Sequence, residues 1–292
     1  MKKIRIAIAQ INTVLGDTAK NIQKHITYCD KAIKNKADMI IFPELSLTGY
    51  ALKDLNFELA LNPYKSSKVN SLRNKSKKID IICGGCEDDD NGGVYNSAFC
   101  FSKGQICSVH RKIYPPDYGM FEEMRYFSKG RELKVFDTNA GKTGLLVCED
   151  LWHISLPLIL ALKGAQIIIT VAVSPTRLNI NPPEGKTAEL KNYEINSEHH
   201  KAYARLLSCF IVFCNRVGFE DGVNYWGGSE VIDPFGNVIC KAKFFDEDMV
   251  YADINVEEVK HARRQSRHFL DEDINFLKNE IGMMYEEIKK IK

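Results

Sequence analysis

The sequence predicts an α/β protein in which two mixed β-sheets face each other and carry helices on their outer surfaces. Three observations lead there. Short apolar runs alternate with longer amphipathic stretches; that succession occurs twice, each time closing on a hairpin; and no Pro- or Ser-rich linker separates the two passages. With 292 residues, 45% of them hydrophobic, the chain can bury a sizeable core.

The first passage starts at IRIAIAQ (4–10), an alternating run that reads as a strand. The apolar part of MKKIRIAIAQINT is short and has no small-residue cleavage pattern, so it does not read as a secretory signal. A helical pattern near 18–36 follows, then DMIIFPE (38–44) as a strand, a helical stretch near 66–78, and IDIICGG (79–85) as a strand. VYNSAFCF, the turn SKGQ and ICSVH form an antiparallel hairpin, which makes the sheet mixed. The second passage runs through TGLLVCE (143–149), a helix near 154–163, QIIITVAV (166–173), a long helix near 186–207 and CFIVFCNRV (209–217). It closes on the hairpin WGGSEVIDPFGNVICKA, pinned by the Asp-Pro-Phe-Gly-Asn turn at 233–237. An amphipathic helix rich in Lys and Glu is expected at roughly 272–290.

Forty basic residues nearly cancel 38 acidic ones, so no global field advertises nucleic acid or an anionic membrane as partner, and a small molecule is the default ligand. The basic run HARRQSRH reads as a solvated tail or a subunit contact. No apolar run reaches the length of a membrane span, and the cytoplasm is the expected compartment. Nine cysteines, an odd number set mostly in apolar segments, read as reduced thiols acting as small hydrophobes, and a buried structural role is expected for eight of them. The lone pair Cys83-Gly-Gly-Cys86 has no second pair to complete a zinc site; no metal and no cofactor are expected.

Three segments carry candidate chemistry. In IIFPELSLTGY a strand delivers Glu44 to its C-terminal rim, where a carboxylate can act as base, although a Glu after Pro at a strand end is more often an exposed loop residue or helix cap. SVHRKIYPPDYGMFEEMRYFSKG is a long irregular segment containing Lys112, which near a reacting carbonyl would stabilise the developing oxyanion. In TGLLVCEDLWH an apolar strand runs into Cys148, so a thiol at the strand tip gains from helix N-terminal amides and can attack a carbonyl. His153, His199 and His200 invite a Cys–His reading, but they lie in helix-like charged stretches and Glu44 already supplies a base.

Taken in order, FPELSLTGY, HRKIYPP with EEMRYFSKG, VCEDLW, and NRVGFEDGVNYWGGSEVIDPFGN resemble the blocks of the nitrilase superfamily of carbon–nitrogen hydrolases over nearly the whole chain. The resemblance implies a four-layer αββα sandwich. It also implies Glu44 as general base, Lys112 stabilising the tetrahedral intermediate, and Cys148 as the nucleophile that forms a thioester. A supporting acid would fall on Glu123 or on its neighbour Glu122, and the Glu149 backbone N–H would share the oxyanion. Tyr118, Trp152, Ser174 and Arg177 are the candidate substrate contacts, with SPTRLNINPPEGKTAE as part of the wall. Residues 1–260 would form the hydrolase domain and 261–292 a C-terminal tail and helix in subunit contact, within a homo-oligomer.

LTGYALKDL, PPDYGMFEEMRYF and CEDLWH are most similar to the glutaminase domain of glutamine-dependent NAD synthetases. The sequence has no SGG-type pyrophosphate loop, so the ATP-using half is expected to be absent. Where those domains read Asn-Ala-Ser-Pro, this chain reads Val171-Ala172-Val173-Ser174-Pro175, which puts glutamine specificity in doubt. Nitrilases carry Cys-Trp-Glu, whereas here Glu149 follows Cys148 directly, which favours an amide over a nitrile. The expectation is hydrolysis of a small linear carboxamide or N-carbamoyl compound, with two alternatives. One is a glutaminase subunit serving a separate ATP-dependent synthetase; the other is a catalytically silent binding protein on the same fold.

Overall fold

The computed structural model describes residues 3–177 and 191–291. Its first half contributes β1 (Ile4–Gln10), β2 (Met39–Ile41), β3 (Asp80–Asp88), β4 (Val94–Ser102) and β5 (Gln105–Arg111). The second contributes β6 (Val135–Thr138), β7 (Gly141–Val147), β8 (Ile167–Ala172), β9 (Phe210–Asn215), β10 (Val217–Glu220), β11 (Val223–Trp226), β12 (Glu230–Ile232), β13 (Val238–Lys241) and β14 (Asp248–Ile254). They form two six-stranded sheets, ordered β14-β1-β2-β3-β4-β5 and β13-β12-β9-β8-β7-β6, with β10 and β11 as a separate ribbon.

In each large sheet three parallel strands, β1-β2-β3 and β7-β8-β9, are flanked by antiparallel ones, so the sheets are mixed as the hairpins foretold. Strand alternation builds the layers. Ile4, Ile6 and Ile8 of β1 face Ile167, Ile169 and Val171 of β8 in the core between the sheets. Ala7 and Ala9 point the other way and pack with Cys29 and Ala32 of the helix Thr18–Lys34. On the far side Ile168 and Ile211 meet Leu156 and Leu160 of the helix Ser155–Leu162 and Ala204 of the helix Lys191–Leu207. The result is the four-layer αββα sandwich.

Several elements were not read from the sequence. β14 pairs antiparallel with β1 over the full run Ile4↔Ile254 to Gln10↔Asp248. The ribbon β10–β11 and the helix Glu257–Gln265 were also missed. The expected helix near 66–78 is a 3-10 turn followed by one short helix, Asn70–Lys75. The helix expected from residue 186 runs from Lys191 to Leu207, and residues 186–190 lie outside the described ones. Six cysteines are buried, but Cys107 is exposed and Cys240 half-buried, so the expectation of eight buried structural thiols is corrected. No described helix is long and apolar enough to cross a membrane.

Candidate active site

The parallel strands of both sheets end on the same rim, and four connections there converge. Glu44 follows β2 across Phe42-Pro43, Lys112 follows β5, Cys148 follows β7, and Val173-Ser174 follow β8. The Glu44 segment lies hard against β3. A Cβ on Gly84 would come within 2.2 Å of the Leu45 nitrogen, so only glycine admits this approach. The Gly84 N–H donates to Pro43 O at 3.1 Å, and Gly84 O accepts from the Leu47 N–H at 3.0 Å, which fixes the turn that carries the carboxylate.

Glu44, Lys112 and Glu123 are each almost fully buried. The Lys112 ammonium donates to Glu44 Oε1 at 2.9 Å and to Glu123 Oε1 at 2.7 Å. Asn96 Nδ2 donates to Glu44 Oε1 at 2.7 Å and to Glu123 Oε2 at 3.3 Å, and the Tyr50 hydroxyl donates to Glu123 Oε1 at 2.8 Å. The remaining oxygen of Glu44 accepts the Val173 N–H at 2.7 Å. Burial alone would lower the Lys112 pKa, but the attraction of Glu123 and Glu44 outweighs it and holds the ammonium well above the usual lysine range. Burial raises Glu123, opposed by Lys112.

Cys148 sits where β7 turns into the 3-10 segment Cys148–Trp152, with φ +47°, a left-handed conformation that non-glycine residues rarely adopt. Burial and the charge of Glu44 push its thiol pKa well above 9, while Lys112 and the Val173 N–H pull it down. These raising influences make the thiolate costly, so the site calls for a base to take the proton as the sulfur attacks.

Asp150, absent from the sequence-based candidates, holds the arrangement together. Its fully buried carboxylate accepts from His110 Nε2 at 2.8 Å and the Val147 N–H at 3.1 Å, and from the Ile113 and Tyr114 N–H groups at 3.0 Å each. One side chain thus ties the cysteine elbow to the backbone just past Lys112. Asn96 and Tyr50 were missed as well, since no local pattern marks a strand asparagine or a loop tyrosine as a carboxylate partner. Between the two acids left open by the sequence, Glu123 is the one beside Lys112, whereas Glu122 is exposed.

The remaining candidates ring the mouth. The Tyr118 hydroxyl donates to Glu149 Oε2 at 3.0 Å, and Tyr118 itself is exposed. Trp152 is exposed and meets His199 edge-on, with ring centroids 4.7 Å apart. Ser174 Oγ accepts from Trp226 Nε1 at 3.0 Å, and its N–H donates to Asn215 Oδ1 at 2.9 Å. Arg177 is exposed, with its guanidinium over the Tyr118-Gly119 turn. Most of the SPTRLNINPPEGKTAE wall, from residue 178 on, lies outside the described residues. His153 stacks on Tyr114 with ring centroids 3.5 Å apart, its Nε2 3.9 Å from Glu149 Oε1.

The carbon-nitrogen hydrolase family pattern matches residues 5–264. The chain belongs to the carbon-nitrogen hydrolase family, within the nitrilase superfamily. Among curated relatives of this hydrolase, a glutamine-dependent NAD(+) synthetase of Thermotoga maritima is 33% identical over 264 residues, covering 88% of this chain and 43% of its own. The chain spans about half the length of the synthetases it matches. A citrullinase of Francisella tularensis is 29% identical over 273 residues, covering 90% of this chain and 93% of its own. The solved structure of a carbon-nitrogen hydrolase from Helicobacter pylori is 26% identical and superposes with a TM-score of 0.83, covering 96% of this chain and 99% of that one.

Proposed function

We propose that this hydrolase cleaves the C–N bond of a small linear carboxamide or N-carbamoyl compound through a thioester on Cys148. The observation that carries this reading is the buried Glu44–Lys112–Glu123 cluster on the same strand-end rim as the Cys148 thiol, which stands in a left-handed elbow. Glu44 takes the thiol proton as the sulfur attacks the carbonyl carbon. The Lys112 ammonium and the Glu149 backbone N–H hold the oxyanion. As the tetrahedral intermediate collapses, Glu44 passes that proton to the departing nitrogen, and ammonia or an amine leaves. Water then adds to the thioester, Glu44 takes its proton, and the acid departs as the thiol is restored. Glu123 keeps Lys112 protonated and aimed throughout.

The match to a citrullinase over nearly its whole length supports a substrate with a terminal carbamoyl group. A second reading, a glutaminase that passes ammonia to an ATP-dependent synthetase, is supported by the similarity to one portion of the NAD(+) synthetases. Ammonia release from glutamine, carbamoyl amino acids, ω-amides and short amides separates the two, run on wild type and Cys148→Ala. The first reading expects one amide class to turn over without any partner and Cys148→Ala to abolish it. Turnover that survives Cys148→Ala would sink the thioester route. Glutamine hydrolysis that is slow alone and rises with an ATP-dependent synthetase would favour the second reading.

A further inference from the structure

A second buried acid–imidazole pair stands close to the thiol and has no part in the scheme above. His200, on the helix Lys191–Leu207, is 1% exposed, although it lies in a charged stretch of sequence. Its Nδ1 lies 2.8 Å from Glu230 Oε1 at the start of β12, and the Ser197 hydroxyl donates to Glu230 Oε2 at 3.4 Å. The ring leans on Phe213, centroids 4.6 Å apart. In the neutral imidazole a carboxylate at Nδ1 fixes the proton there and leaves the Nε2 lone pair as an acceptor. Among the described residues that Nε2 has no hydrogen-bond partner. His200 lines a cavity of about 20 Å³ together with Cys148, Ser174, Asn196 and Phe213 among others. An orphaned buried acceptor is costly, and one placed in a functional cavity is satisfied when a ligand donates to it.

The size of the cavity sets what that donor can be. It has room for roughly one water-sized group beside the sulfur. Once the substrate carbonyl carbon is bonded to Cys148, the group that fits there is the one attached directly to that carbon. In a carboxamide this group on the acyl side is a CH2, which offers nothing to the imidazole. In an N-carbamoyl compound it is an N–H. We propose that the His200–Glu230 pair is a specificity device that selects amides whose acyl side begins with N–H, the ureido class, over plain carboxamides. This refines the function proposed above and rests on it. A site built around a hydrogen bond rejects the analogue that lacks the donor, because its own polar group is then left unpaired.

The test compares binding of butylurea and of hexanamide, in which CH2 replaces the N–H, to Cys148→Ala protein by calorimetry. Butylurea is expected to bind roughly tenfold to a hundredfold more tightly. That preference is expected to collapse when His200→Phe is added. Since His200→Phe leaves Glu230 buried without its partner, His200→Phe with Glu230→Leu is measured in parallel, where both polar groups are gone and the fold is relieved of the stranded charge. No preference for butylurea in Cys148→Ala, including no binding of either compound, overturns the proposal. So does a preference that persists without His200, and so does an equal loss of both compounds, which would place the leaving amide nitrogen at Nε2. Ammonia release by wild type and by Cys148→Ala is the separate check on the underlying reading: turnover that survives Cys148→Ala refutes the thioester chemistry whatever the binding ratio.

Discussion

Replacing Asp150 by Asn tests whether one buried carboxylate sets the spacing between the thiol and Lys112. The carboxylate accepts four N–H groups, two on each oxygen. An asparagine keeps one oxygen, and its best orientation leaves that oxygen on Ile113 and Tyr114. The amide NH2 then faces His110 Nε2 and the Val147 N–H. His110 can change tautomer and accept; Val147 cannot. One buried N–H is therefore orphaned, at about 1–3 kcal/mol, and three charge-assisted bonds become neutral or reversed, adding about 1 kcal/mol. The expected loss is about 2–4 kcal/mol in equilibrium urea unfolding. Because Ile113 adjoins Lys112 and Val147 adjoins Cys148, a small shift here is felt at both, and kcat is expected to fall roughly tenfold to a hundredfold. A variant that loses less than about 0.5 kcal/mol and keeps its kcat would refute the positioning role.

Two further outcomes follow from the same network and its surroundings. Glu44→Gln and Lys112→Ala are each expected to lose orders of magnitude in kcat; Lys112→Ala also leaves two carboxylates buried together and should cost about 3–5 kcal/mol of stability, read from the same urea titration. His25 is buried against Asn21 O and Ser46 Oγ, and burial pushes its pKa down to about 4. Between about pH 6.5 and 4 the unfolded chain takes a proton there that the folded chain refuses. Stability is thus present in full above that window and falls as pH drops through it, by about 3 kcal/mol in total. His25→Gln should flatten this part of the pH profile, and an unchanged slope between about pH 7 and 4.5 would show that other groups carry it.

The sandwich was readable because its strands write their faces into the sequence. Ile4, Ile6 and Ile8 alternate with Ala7 and Ala9, and each set found its own layer. β14 was not readable: DMVYADI mixes charge with apolar residues, because it is an edge strand half covered on both faces, and its pairing with β1 depends on contacts nearly 250 residues away. At the site, Glu44 and Cys148 announced themselves by standing directly after apolar strands. Lys112 and Glu123 had no such marker, and the choice between Glu122 and Glu123 turns on which side of a four-residue helix faces inward. Asp150 was in plain view two residues after Cys148, yet its four donors come from β5, β7 and the loop beyond, a convergence that only register and burial reveal. His200 was set aside because it lies in a helix-like charged stretch, while its own position on that helix is buried and lines the space beside Cys148.

The clasp between β1 and β14 bears on how the chain reaches this state during synthesis. β1 has one of its two sheet partners at residues 248–254, so its outer edge stays open for the time needed to make the residues between them, roughly 10–50 s at ordinary elongation rates. For that interval an apolar strand with unpaired backbone groups is available to wrong partners. The two halves repeat one pattern, yet the first sheet is not complete until the second half delivers β14. Late closure of so distant a pair predicts slow folding and a nascent chain that depends on holding factors until β14 emerges.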